Sequence, residues 1–118
     1  MRALATAVVA VAILAGCGNS PAQPPGSIKV TMTEFQFAPS SITASSGTVV
    51  FYLVNSGATA HNLIIQDSAN RRVKSSELVS AGDSSVFTVD NIAAGTYKIF
   101  CDQPGHEGSG MKGTLTIT

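Results

Sequence analysis

From Ile28 onward, apolar and polar residues alternate along this chain with a period of two, and short clusters of glycine, proline, serine and asparagine interrupt them. That period places successive side chains on opposite faces of an extended strand. In Ile28–Thr33, Ile28, Val30 and Met32 face one way while Lys29, Thr31 and Thr33 face the other. A short strand surrounds Ile42, after Pro39. Thr48–Asn55 is rich in β-branched and aromatic residues on both faces, as a central strand is. Further strands are expected over Ala60–Gln66, Ser84–Val89, Thr96–Cys101 and Gly113–Thr118, the last with Leu115 and Ile117 inward. Tyr97, Ile99 and Cys101 share one face by the same alternation. No stretch carries a convincing helical period. The expected fold class is all-β, a Greek-key β-sandwich of about seven to eight strands. Asp67–Ser80 fits a short strand, a helix or a surface loop, and it holds the basic residues Arg71, Arg72 and Lys74. That basic run suits a solvated loop better than a surface that steers an acidic partner.

Tyr97 stands two residues after Gly95 and begins a strand after a turn. That arrangement resembles a tyrosine corner, in which the hydroxyl bonds backbone a few residues upstream; an ordinary core tyrosine gives the same pattern.

The first residues belong to a different kind of segment. Arg2 precedes an apolar run from Ala3 to Ala15, too short to span a bilayer comfortably. A charged start, a short apolar stretch and small residues at its end make a secretory signal over residues 1–16. Leu14–Cys17 resembles a bacterial lipobox, which implies lipidation of Cys17; a plain signal peptide with an incidental Cys17 is the competing interpretation. Residues 17–27 hold three prolines and no large apolar side chain, so they are expected to act as a linker before a folded domain at 28–118. An acylated Cys17 would tether that domain to the periplasmic or extracellular face of a bacterial membrane. The 118-residue chain carries no formal net charge and is 12% charged, which does not suit a nucleic-acid-binding face.

With Cys17 in the signal region, Cys101 is an odd thiol outside the cytoplasm. It opens the segment Cys101–Met111, with His106 midway and Pro104 and three glycines between, so a tight turn can bring the three side chains together. Thiolate, imidazole and thioether are soft or borderline donors that suit copper and not calcium or magnesium. A mononuclear blue-copper site takes two histidines, a cysteine and a weak axial methionine. The chain has two histidines, so the second is His61. Met1 starts the chain and Met32 fits an inward strand position, which leaves Met111 for the axial place. Taken singly, each residue has an ordinary alternative: a loop or strand-end histidine, a core methionine, a buried thiol. Zinc competes less well, because structural zinc takes four Cys or His ligands.

His61–Asn62, Gly95–Tyr97 and the C-x4-H-x4-M loop together resemble the cupredoxins, the family of plastocyanin and azurin, over almost the whole of 28–118. Cys101–His106 is similar to an azurin-type C-x2-P-G-H, and the ligand spacing resembles that of auracyanin and rusticyanin more than plastocyanin. The resemblance implies one type 1 copper ion held by His61, Cys101, His106 and Met111. It implies that Asn62 ties the ligand strand to the ligand loop and that the Ala60 carbonyl faces the metal opposite Met111; Pro104 stiffens the loop. With four protein ligands the metal has no open position for substrate, so an electron carrier is expected and not an enzyme. His106 would pass electrons, ringed by Ala58, Ala60, Pro104, Gly105 and Gly108, to transiently docked redox proteins. A monomer is expected. Copper storage, delivery or sensing is the alternative function, and it uses the same ligands.

Overall fold

The computed structural model describes residues 20–118; the expected signal peptide and Cys17 lie outside the described residues. Nine strands follow one another, β1 (Ile28–Thr33), β2 (Gln36–Ala38), β3 (Ser41–Ala44), β4 (Gly47–Asn55), β5 (Ile64–Gln66), β6 (Arg72–Ser75), β7 (Ser84–Ile92), β8 (Gly95–Phe100) and β9 (Lys112–Ile117). They form a four-stranded sheet in the order β2-β1-β4-β7 and a five-stranded sheet in the order β3-β9-β8-β5-β6. Two neighbours run parallel, β1 with β4 and β3 with β9; the other pairs are antiparallel.

Alternation explains the core. Val30 and Met32 of β1, Phe37 of β2 and Val49, Phe51 and Leu53 of β4 turn inward from one sheet. Ile42, Ile65, Ile99, Leu115 and Ile117 meet them from the other. Each such side chain contributes roughly 1.5–3 kcal/mol when fully buried. Phe51 and Phe87 sit opposite one another in the β4–β7 register and stack at 5.9 Å between ring centroids. Tyr97 donates its hydroxyl to the Ala93 carbonyl at 2.7 Å, which closes the corner before β8 and decides between the two alternatives in favour of a tyrosine corner.

The structure departs from the sequence expectation in four places. The strand count is nine, because β2 and β6 are additional. β2 has only three residues, too few for alternation to register. β6 resolves the ambiguity over Asp67–Ser80: Asp67 closes a turn through its bonds to Ala69 and Arg71, and a fully exposed edge strand follows. Lys74 and the arginines on that edge discourage pairing with another chain. The expected strand over Ala60–Gln66 is in the ladder only from Ile64, while His61 forms an isolated bridge with Val79. Finally, Ile64 and Phe100 are buried on the outer face of their sheet, opposite one another in register. The cationic ends of Arg72 and Lys98 lie over the Phe100 ring at 5.8 and 4.9 Å, so long charged side chains cover it.

Residues of the expected linker touch the sandwich. Tyr52 donates its hydroxyl to the Pro21 carbonyl, and the Ser84 N–H donates to Ser20 Oγ.

One close approach fixes the register of β3 on β9. The Thr114 N–H donates to the Ser40 carbonyl at 2.8 Å, and a Cβ on Gly113 would run into that same carbonyl. Backbone cannot swing aside as a side chain does. Gly113→Ala is therefore expected to lower stability by about 1–3 kcal/mol, the usual cost of overpacking. Urea unfolding checks this; an unchanged midpoint would refute the constraint.

Candidate metal centre

Three donor atoms converge at one end of the sandwich. His61 Nδ1 lies 3.1 Å from His106 Nδ1, and Cys101 Sγ lies 4.0 and 3.5 Å from the two. His61 and Cys101 are wholly buried and His106 is half-buried. Separations of this size are what one first-row ion spans with bonds of about 2.0–2.3 Å to nitrogen and sulfur. The donor set, two imidazole nitrogens and a thiol, is chemically right for copper. Met111 is fully buried, and its backbone ties the set together. Its carbonyl accepts the Cys101 N–H at 3.1 Å and its N–H donates to the His106 carbonyl at 3.0 Å.

Local sequence explains each position. Cys101 follows the last residue of β8, so the strand aims it inward. Gln103–His106 closes a turn, with the His106 N–H donating to the Gln103 carbonyl at 3.0 Å. Pro104 is the second residue of that turn and Gly105, at φ +80°, the third, as a type II turn requires. Pro104 is exposed at the loop surface, and it acts through the backbone angle it fixes. His61 hangs on Val79 by two backbone bonds, N–H to carbonyl in each direction, at 3.1 and 2.8 Å. Ala60 stands half-buried just before it.

Asn62 joins the His61 segment to the Cys101 segment. Its amide donates to an Asp102 carboxylate oxygen at 2.6 Å, and its side-chain oxygen accepts the Asp102 N–H at 3.1 Å. Arg72 holds the other carboxylate oxygen at 2.9 Å. The Asn62 amide, and then Arg72, keep the Asp102 carboxyl below its ordinary range against the opposing effect of burial.

Sequence reasoning missed three residues here. Asn55, buried at the end of β4, donates to the Thr59 and Val79 carbonyls and accepts the Gly57 N–H, shaping the loop before His61. Its signal was a turn-forming residue at a strand end. Glu34, in the β1–β2 turn, accepts the Ala58 and Thr59 N–H groups and lies 3.2 Å from His61 Nε2. Those bonds, the Thr59 N–H foremost, hold its carboxyl at about 2. Desolvation pushes His61 down from the usual imidazole value, so the ring is neutral near neutral pH. Phe35, at φ +71°, is 40% exposed and meets the His106 ring edge-on at 5.2 Å. No local pattern marked Glu34 or Phe35.

Known proteins match this architecture. Residues 4–117 match the family model described as a cupredoxin-like domain. Plastocyanin of Scenedesmus fuscus is 38% identical over 88 residues, covering 69% of this chain and 85% of that one. The solved auracyanin of Roseiflexus castenholzii superposes with a TM-score of 0.70 at 21% identity, covering 78% of this chain and 96% of that one. Auracyanin A of Chloroflexus aurantiacus, described as a "blue" copper protein, gives 0.63 at 24%, covering 76% and 99%.

The Asn62–Asp102 tie has a pH signature. A carboxyl held low in the fold adds stability above its ordinary value near 3.9, and loses it as pH falls toward the folded value. The urea midpoint of the metal-free protein is expected to fall as pH drops from about 5 to 2.5, with Glu34 contributing in the same direction. Asn62→Ala should cost about 1–3 kcal/mol near neutral pH and make the acid decline shallower. An acid decline as steep as the parent's would show that Asn62 does not hold Asp102. By family model, sequence and fold, this chain belongs to the cupredoxin-like domain family.

Proposed function

We propose that this protein is a single-electron carrier that holds one copper ion through His61, Cys101, His106 and Met111, and that a lipid on Cys17 anchors it outside the cytoplasm of a bacterial cell. The convergence of His61 Nδ1, His106 Nδ1 and Cys101 Sγ, all within 4.8 Å of one another, carries this reading. Membership in a family that includes plastocyanin and a protein described as blue copper supports it. Copper held there would take up and give up one electron between Cu(II) and Cu(I).

The chain's residues serve that role in distinct ways. Cys101 and Met111 supply sulfur donors, and both are fully buried. His61 is closed off from water behind Glu34 and Val79. His106 is the half-exposed ligand, so it is the edge through which an electron passes. Phe35 lies against it, and Ala58, Pro104, Gly105 and Gly108 are exposed around the same loops. Such a surface suits brief contact with redox proteins. Ala60, half-buried just before His61, would offer its carbonyl beside the site. The burial of three ligands argues against ready release of the ion, and so against storage or delivery. Among the described residues no helix is long and apolar enough to cross a membrane.

Two experiments test this. The purified domain loaded with Cu(II) is expected to show an intense visible thiolate-to-copper band that is lost in Cys101→Ser, and a reversible one-electron couple. A band that survives the substitution would sink the ligand assignment; a band without a reversible couple would sink electron transfer. In bacterial cells, Cys17→Ser should move the protein from the membrane fraction to the soluble one. Unchanged partition would overturn the lipid anchor.

A further inference from the structure

One carboxylate oxygen organises the approach to the buried histidine. Glu34 Oε1 accepts the Ala58 N–H at 2.8 Å, the Thr59 N–H at 2.9 Å and the Thr59 hydroxyl at 3.0 Å. The same atom lies 3.2 Å from His61 Nε2. The carboxylate also packs on Gly57, where a Cβ would come within 2.6 Å of Oε1. The segment from Gly57 to His61 thus wraps around a side chain from the β1–β2 turn, 27 positions away in sequence from His61. A loop clamp would be complete with Ala58 and Thr59 alone. The contact with Nε2 is additional, and it falls on the ring nitrogen opposite the one that faces Cys101 and His106.

A neutral imidazole carries its proton on one nitrogen only. An ionised carboxylate accepts and does not donate, so the proton stands on Nε2 and the lone pair on Nδ1 points into the site. A carboxylate behind a ligating imidazole also makes it a better donor. That favours the more highly charged oxidation state of a bound ion, Cu(II) over Cu(I).

We infer that Glu34 is a positioning residue for the metal centre, fixing the Nε2–H tautomer of His61 and biasing the site toward Cu(II). This rests on the copper reading proposed above. One electron enters from or leaves to a redox protein, and the Nε2 proton stays on His61 in both states. Nothing but an electron is exchanged.

Glu34→Gln tests this, because glutamine keeps the length and one acceptor oxygen for the loop but removes the charge. Three readouts separate the roles. In the metal-free parent, 15N shifts of the His61 ring are expected to report the Nε2–H tautomer, and Glu34→Ala, which removes the acceptor, should show a mixture; this needs no copper. In the loaded protein, the Cu(II) affinity of Glu34→Gln should fall about 10- to 100-fold, the usual effect of losing an outer partner of a ligand. Cu(I) affinity should fall less. Each tenfold change in their ratio raises the reduction potential by about 59 mV in a one-electron couple. Variants that lose only urea stability, with the tautomer unchanged in Glu34→Ala and the affinity ratio unchanged in Glu34→Gln, would reduce Glu34 to a loop clamp and overturn the inference. A parent with the expected tautomer but no thiolate-to-copper band would sink the copper reading and leave Glu34 with the tautomer role alone, overturning the redox bias.

Discussion

Two imidazole nitrogens and a sulfur face one another across 3.1 to 4.0 Å at the end of this sandwich, a closeness that three side chains from separate segments do not reach unaided. Two of the three residues are withdrawn from water. The backbone must impose the arrangement. It does so with hydrogen bonds that belong to no regular ladder: His61 to Val79, Cys101 to Met111, Met111 to His106. Each of these segments is rooted in a strand whose inward residues lie in the close-packed core. Packing at that density allows little relaxation, so the ends of the strands stay where the core puts them. Every later property of the site depends on that rigidity.

Rigidity also bears on electron transfer. A site whose donors are held in place rearranges little when the charge at its centre changes by one unit. The burial pattern then sets direction. His61, Cys101 and Met111 are sealed, and His106 alone among the four proposed ligands reaches partly to solvent. The type II turn at Pro104–Gly105 holds it there, and Phe35 braces the ring from the side.

Much of this was legible in the sequence, and the rest was hidden for identifiable reasons. β1, β7 and β9 announced themselves through alternation and β4 through its β-branched and aromatic content; all four lie within about three residues of their expected bounds. β2 was too short for a period to show, and β6 buries nothing, so neither carried a pattern. Ile64 and Phe100 blurred the alternation because Arg72 and Lys98 cover the outer face locally. His61 read as a strand residue because the apolar run Leu63–Ile65 follows closely, but only an isolated bridge to Val79 holds it. The three donors of the Cys101–Met111 loop were visible because chain proximity places them. Glu34 was not, since its partners are 24 to 27 positions away and only the folded sheet brings the β1–β2 turn over the loop before His61.

Glu34 differs from the other acidic residues nearby in how its charge is answered. Asp102 is paired with Arg72, Glu107 with Lys98 and, farther off, Asp67 with Arg71. In each case a permanent cation offsets the carboxylate, and the pair presents little net field. The Glu34 carboxylate is met instead by two backbone N–H groups, a hydroxyl and a neutral imidazole. Those groups solvate the charge without cancelling it. Its charge therefore stays uncompensated on the Nε2 side of the buried His61 ring. A cation that gains positive charge on oxidation is stabilised by such a neighbour, whereas the Asp102–Arg72 pair, on the Cys101 side, acts mainly through geometry. The two carboxylates flanking the candidate site thus differ: Asp102 joins the Cys101 segment to the His61 segment through Asn62, and Glu34 places an uncompensated charge behind the His61 ring.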